Sequence, residues 1–245
     1  NPISPADADK LTPNFLWTTF FESQGLAVPE KFSLAMPAFH AEVSKMIADV
    51  PADAWKAFLR YHMIDSASPY LSEAFVQEHY AFHNQAMAGQ KEQKARWKRV
   101  LGAIENNAGE AMGQLYVKVA FPPESKAKME ELVKNLSIAF KARIEQLSWM
   151  SDETKKKALD KLATFESRVG YPDKWRDFTD LQTTRDSYIG NVLAASEFNY
   201  KWALGKIGKP VDKTEWGMTP QTVNAYYNPL ANQITFPAAI LQPPF

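Results

Sequence analysis

Histidine gives this chain its clearest capacity for metal chemistry, because imidazole is the commonest metal ligand in proteins. The 245-residue sequence contains four histidines, His40, His62, His79 and His83, and no cysteine. His79 and His83 are four positions apart, so a helix would place both imidazoles on one face, as two zinc ligands require. The lack of cysteine excludes disulfides, thiolate nucleophiles and cysteine-built zinc or iron–sulfur sites.

The residues around this histidine pair do not form the H-E-x-x-H motif, in which a glutamate directly follows the first histidine and acts as general base. Here Glu78 precedes His79, and Tyr80 follows it. Histidines at this spacing also occur by chance on amphipathic helices that bind no metal. We therefore favour a structural role for His79 and His83, and we expect neither a catalytic residue nor a metal ligand in this chain.

Several other functional classes lack support in the sequence. No nucleophile elbow of the form G-x-S-x-G, P-loop or dinucleotide-binding fingerprint is present. The 28 basic residues balance 28 acidic ones, which argues against a nucleic-acid partner. Hydrophobic residues at 45% and charged residues at 23% are typical of a globular protein. No apolar run approaches the roughly 18 residues of a membrane helix, so we expect no membrane segment in this chain.

One polar residue in an extended segment indicates peptide binding. Residues 222–227 and 233–236 have the composition of two strands joined by a turn, and Asn224 stands in the first, where asparagine is disfavoured. On an exposed edge strand, its amide could fix the register of an extended peptide paired with the main chain. Alternatively, Asn224 begins a turn or caps a neighbour, and the residue pattern alone favours this alternative.

Helices are expected to position this strand pair, and they dominate the first two-thirds of the chain. Apolar spacing and cap signals predict helices over residues 28–47, 51–63, 71–87, 91–104, 110–119, 123–149, 152–162 and 187–204. Pro37 is expected to kink the first of them. The clearest helix, 123–149, carries an apolar stripe that we interpret as core: Met129, Leu132, Val133, Leu136, Phe140, Ile144 and Leu147.

Two long motifs near the C-terminal end resemble those of a known family. They are E-W-G-M-T-P-Q-T-V-N-A-Y-Y-N-P at residues 215–229 and N-Q-I-T-F-P-A-A-I-L-Q-P-P-F at residues 232–245. Shorter matches lie upstream, at residues 88–97, 113–117, 149–154 and 169–177. Together they resemble the neprilysin and endothelin-converting-enzyme family of zinc metallopeptidases, in particular its bacterial members, over essentially the whole chain.

The resemblance implies specific substrate-binding residues. In this family an Asn-Ala pair on an edge strand binds the substrate backbone, and that role would fall on the Asn224 side chain and the Ala225 main chain. Ile240 and Phe245 would form part of the hydrophobic S1′ pocket, which receives the residue after the scissile bond. Peptides are the expected substrates, and the resemblance favours the substrate-binding interpretation of Asn224 over the turn interpretation.

The resemblance also implies the fold and the cofactor. We expect a mainly α chain, with part of a helical cap domain at residues 1–150 that limits substrate size. Residues 151–245 would hold linker helices and the opening β-hairpin of a thermolysin-like α+β catalytic domain. The family's H-E-x-x-H helix and its third zinc ligand, a glutamate, follow after this segment. The complete protein is therefore expected to bind one catalytic zinc ion through ligands outside this chain. This chain alone is expected to be inactive.

The function implied is that of one portion of a zinc-dependent endopeptidase or oligopeptidase in the periplasm or outside the cell. An alternative is a non-catalytic subunit or fragment that associates with a separate polypeptide carrying H-E-x-x-H, as in a nicked or two-chain enzyme. A helical scaffold unrelated to peptidases would require both long motifs to match by accident.

Overall fold

The computed structural model of this protein describes residues 2–243, so Phe245 lies outside the described residues. The chain divides into two compact units, Asn1–Gln93 and Lys94–Phe245. Helices dominate both units, which confirms the mainly α prediction. The thermolysin-like nature of the C-terminal part and the functional division at residue 150 stay predictions.

The first unit combines short helices with a small sheet and a π-helical segment. Its elements in chain order are β1 (Pro2–Ile3), α1 (Pro5–Leu11), α2 (Trp17–Ser23), β2 (Phe32–Ser33), α3 (Pro37–Asp49), α4 (Ala52–Ala67), a 3₁₀ turn (Ser68–Tyr70), α5 (Glu73–His79) and the π-helical segment (Tyr80–Met87). β1 and β2 pair in antiparallel fashion.

Pro37 begins a helix instead of kinking one, so the prediction of a helix over residues 28–47 is wrong in its first part. The segment before Pro37 contains strand β2, and Met36 adopts a left-handed conformation with φ of 50°. Proline fits the first position of α3 because the N–H that it lacks would have no partner within the helix there.

The second unit places three long helices before a mixed sheet. Its elements are α6 (Arg96–Ala120), α7 (Pro123–Gln146), α8 (Asp152–Ala163), β3 (Glu166–Gly170), α9 (Tyr188–Leu204), β4 (Tyr226–Asn228), β5 (Gln233–Pro237) and a 3₁₀ segment (Ala238–Leu241). Ser151 and Ser187 cap α8 and α9 by accepting main-chain N–H bonds, close to where the sequence predicts these helices to begin.

The sheet of the second unit has the strand order β3-β5-β4. β4 and β5 form the predicted antiparallel hairpin, with Tyr226 opposite Thr235. β3, which the sequence analysis did not predict, runs parallel to β5 with Glu166 opposite Gln233. Parallel strands require a long crossover, and here the connection includes α9. Among the described residues, β4 is an edge strand.

Helix α6 consists of two helical stretches that meet in a kink at Ala108, whose φ and ψ of −145° and 34° are not helical. This agrees with the two helices predicted over residues 91–104 and 110–119, although the first begins at Arg96. Asn199 of α9 donates its side-chain N–H to the main-chain oxygen of Asn107 at 3.0 Å. A side chain that bonds to a helix carbonyl in this way accounts for a kink. This hydrogen bond therefore connects α6 to α9 at the kink.

The core interpretation of the α7 stripe is wrong for several residues. Val133 and Ile144 are buried, but Leu132, Leu136 and Phe140 are 48%, 60% and 59% exposed. Within the described part of the chain, α7 packs against α8 and β3, which cover only one side of it. A hydrophobic stripe thus remains on the surface of this chain.

Among residues 2–243, no helix has both the length and the apolar character needed to cross a bilayer.

Candidate functional site

The predicted substrate-binding residues that the structure describes lie around the β4–β5 hairpin of the second unit. Asn224 and Ala225 directly precede β4. Ile240 lies in the 3₁₀ segment that follows β5, and it is half-buried. Phe245 is not among the described residues.

Asn224 forms a local turn, so the predicted start of the first strand at residue 222 is wrong. Its N–H donates to the Thr222 carbonyl at 3.0 Å, and its side-chain Oδ1 accepts the Ala225 N–H at 2.8 Å. These short-range bonds engage the main-chain donors of both residues, and the β ladder begins only at Tyr226. The Asn224 side chain is nevertheless exposed, and its amide still carries two N–H donors after Oδ1 is engaged.

Two tyrosine hydroxyls hold β4 in place. The Tyr226 hydroxyl accepts the Gly217 N–H at 2.7 Å, and the Tyr227 hydroxyl donates to Asn232 Oδ1 at 2.9 Å. These bonds connect the strand to the segment before it and to the turn after it. The hairpin that carries Asn224 at its base is therefore held at both ends.

Helix α6 supports the segment that leads to Asn224. Glu105 accepts hydrogen bonds from the Thr219 hydroxyl and, at 2.5 Å, from the Gln221 side-chain amide. The same amide donates to the Gly109 carbonyl at 2.8 Å. Residues 219–221 are thus bound to one face of the helix through one carboxylate and one main-chain oxygen.

Two glycines allow this close approach. A Cβ atom at Gly109 would lie 2.8 Å from Thr219 Cγ2, and one at Gly113 would lie 2.8 Å from the Pro220 ring. No side chain larger than glycine fits these contacts without movement. This support was not among the predictions. Two glycines four positions apart inside a helix are nevertheless a signal for it, because glycine lowers helix stability and is usually placed there to admit a closely packed segment.

The 3₁₀ segment with Ile240 is bound to the same support. The Ala239 N–H donates to the Pro220 carbonyl at 2.9 Å, and the Gln242 side chain donates to the Ala120 carbonyl at the end of α6, also at 2.9 Å. Pro220 itself is fully buried. The segments containing Asn224 and Ile240 therefore share one rigid base on α6.

A cleft of about 670 Å³ in the second unit is lined by residues that include Glu110, Arg176, Trp202 and Trp216. The Arg176 guanidinium lies 4.1 Å from the Trp202 ring, and burial lowers its pKa. The main-chain N–H of Arg176 donates to Glu110 Oε1 at 2.6 Å. The described substrate-binding candidates, Asn224, Ala225 and Ile240, do not line the cleft, and we assign Arg176 a structural role between α9 and the segment after β3.

The histidine pair of the sequence analysis is joined by an unexpected carboxylate in the first unit. Asp65 of α4 places Oδ1 2.8 Å from His83 Nε2 and 3.3 Å from His79 Nδ1. The hydrogen bond from His83 is the main cause that lowers the pKa of Asp65. The other two histidines pack against aromatic rings instead, His40 against Trp17 and His62 against Phe58.

Known proteins match this chain in sequence and in structure. The model for peptidase family M13 matches residues 1–172. An endothelin-converting enzyme homolog of Locusta migratoria is 36% identical over 77% of this chain and 27% of its own length. Neprilysin-3 of Drosophila melanogaster is 30% identical over all of this chain and 33% of its own length. The chain thus spans about a third of these relatives.

A solved structure agrees with this result. The zinc metalloprotease ZMP1 of Mycobacterium tuberculosis, in its open state, matches all of this chain and 38% of its own chain, with a TM-score of 0.92 and 39% identity. The family model covers more than half of the chain, and the structural match extends over both units. The chain therefore belongs to peptidase family M13, the family of its neprilysin and endothelin-converting-enzyme relatives.

Proposed function

We propose that this chain is part of a zinc-dependent endopeptidase or oligopeptidase, in which it aligns the peptide substrate. Membership of family M13 and the similarity to a zinc metalloprotease support the reaction class. The sequence contains no H-E-x-x-H motif, so the catalytic zinc would be held by residues outside this chain. When bound, that zinc supplies Lewis-acid activation of water for attack on the peptide carbonyl.

The observation that carries the proposal is the position of Asn224 at the base of edge strand β4. An extended peptide that adds to a sheet edge receives main-chain hydrogen bonds, and a fixed side-chain amide beside that edge can bind one of its peptide groups. The exposed Asn224 amide N–H groups and the Ala225 carbonyl would perform these functions, since the Ala225 N–H is already bonded to Asn224 Oδ1. Because residues 219–221 are held by α6, the amide would be positioned before substrate arrives, which lowers the entropy cost of binding.

Ile240 and Phe245 would contribute to the S1′ pocket. The hydrogen bond from Ala239 to Pro220 connects the Ile240 segment to the base that supports Asn224, so backbone alignment and side-chain selection would act from one rigid support. Residues 1–150 would form part of the cap that limits substrate size. The family relationship favours an extracellular or periplasmic site of action.

The substitution Asn224→Ala in the complete zinc-bearing protein tests this function. We expect kcat/KM for peptide cleavage to fall roughly tenfold, because one hydrogen bond to the substrate backbone is lost. Zinc content should not change, and the free energy of unfolding should fall by no more than about 1 kcal/mol, because the exposed Asn224 loses its hydrogen bond to the Ala225 N–H. Asn106→Ala, at an exposed position on α6, is the matched control and should leave kcat/KM unchanged. An unchanged kcat/KM for Asn224→Ala would contradict the proposed role.

A second candidate is a chain that works as a separate subunit beside a polypeptide carrying H-E-x-x-H. The exposed apolar side chains on α7, Leu132, Leu136 and Phe140, call for polypeptide that covers them, which in this arrangement a separate subunit would supply. This arrangement predicts that intact-mass analysis of the active enzyme finds two polypeptides. A single longer polypeptide would instead favour the first candidate.

A further inference from the structure

Three side chains with metal-binding atoms converge in the first unit, apart from the residues assigned to substrate. Asp65 comes from α4, His79 ends α5, and His83 lies in the π-helical segment. One ligand atom from each, Asp65 Oδ1, His79 Nδ1 and His83 Nε2, lies within 4.8 Å of the other two. Two imidazoles and one carboxylate thus face a common point.

We propose that Asp65, His79 and His83 are the ligands of a binding site for a divalent metal ion of the zinc class, with Zn²⁺ as the ion bound. Zinc bonds of about 2.0–2.2 Å in tetrahedral geometry separate the ligand atoms by roughly 3.3 Å. The two distances from Asp65 Oδ1, 2.8 and 3.3 Å, are already close to that separation. Small rotations of the side chains would therefore admit the ion, and water would complete the fourth position.

The donor set selects the class of metal. Imidazole and carboxylate ligands suit zinc and its neighbours, whereas calcium and magnesium prefer oxygen ligands alone. All three side chains are partly exposed, between 24% and 37%, so an ion can enter from solvent. π-Helical segments are rare in proteins, and those that do occur are often found at functional sites. The location of His83 in such a segment agrees with a binding role.

Metal binding would replace the present hydrogen bonds. A carboxylate only accepts, so each imidazole nitrogen that faces Asp65 carries a proton in the neutral ring. On binding, that nitrogen donates its lone pair to Zn²⁺, and the proton resides on the other nitrogen of the same ring. The ion would connect α4 with α5 and the π-helical segment, and it would stabilise the first unit through preferential binding to the folded state.

Zinc titration of the 245-residue chain by calorimetry tests the site. We expect one Zn²⁺ per chain, and affinity at least tenfold weaker in His79→Ala, His83→Ala and Asp65→Asn. His62→Ala is the matched control, since His62 lies on α4 with Asp65 but packs against Phe58, and it should bind zinc like the wild type. No binding by the wild type, or equal affinity in the His79 and His83 variants, would overturn the proposal.

A second measurement needs no variant. In ¹⁵N spectra of the wild-type histidines, added Zn²⁺ should shift Nδ1 of His79 and Nε2 of His83 from protonated to metal-bound values, while His40 and His62 keep their signals. Shifts at His40 or His62 instead would overturn the assignment. Because the chain lacks H-E-x-x-H, the titration does not involve the catalytic zinc of the proposed peptidase, and the result does not depend on that proposed function.

Discussion

Asp9 joins the first two helices through a carboxylate. It stands in α1, yet its Oδ1 accepts the Trp17 N–H at 2.6 Å, and its Oδ2 accepts the Thr18 hydroxyl at 2.6 Å. These are donors at the start of α2, so Asp9 acts as a helix cap from a neighbouring helix. Desolvation raises the pKa of this carboxyl, but the hydrogen bonds from Thr18 and Trp17 outweigh it, and the net pKa lies below its usual value.

The cap makes stability depend on pH. Because the folded-state pKa of Asp9 is lowered, its contribution is complete above the unfolded-state value of about 3.9 and is lost as pH falls through the folded value. We expect Asp9→Ala to lower the free energy of unfolding by about 1 kcal/mol at pH 6, and the difference from wild type to shrink below about pH 4. Urea unfolding across this range measures it, and a difference that stays constant down to pH 3 would contradict the account.

At the residue scale, a long motif names candidate residues, whereas distant partners leave no signal in the sequence. Asn224 and Ile240 were predicted by resemblance, and their substrate-binding roles stay predictions. Glu105 and Asp65 were not predicted, because their partners are 114 or more residues away for Glu105 and come from other helices for Asp65. Such pairings leave no local spacing, so only the fold brings them together.

At the scale of elements, α6 supports the whole candidate site. Gly113→Ala should lower the free energy of unfolding by about 1–3 kcal/mol, because the new Cβ would lie 2.8 Å from the buried Pro220 ring. Gly102→Ala is the control on the same helix, where a Cβ meets nothing within 4 Å and helix propensity should raise stability by roughly 0.5–1 kcal/mol. Equal effects of the two substitutions in urea unfolding would show that residues 219–221 do not pack as described.

Helices were easier to predict than strands for a physical reason. Ser151 and Ser187 mark the first turns of α8 and α9 within a few residues, because a capping side chain bonds to an N–H three residues away. β3 is only five residues long, and its partner β5 lies 67 positions further along the chain. Its residues show no clean alternation, so nothing in its own sequence indicates a parallel pairing.

At the scale of the whole molecule, the apolar stripe of α7 was predicted as core, but this chain buries only part of it. Periodicity identified the helix correctly, but it could not say which segment covers each side. Val133 and Ile144 meet α8 and β3, whereas Leu136 and Phe140 stay exposed. We infer that further polypeptide, in the same chain or another, covers this surface in the complete protein.

We propose that this chain aligns the peptide substrate, while residues outside it hold the catalytic zinc. The most direct test compares peptide cleavage by the purified 245-residue chain with cleavage by the complete zinc-bearing protein, with and without a metal chelator. We predict chelator-sensitive cleavage by the complete protein and none by the chain, even with zinc added. Chelator-sensitive cleavage by the 245-residue chain itself would contradict the account.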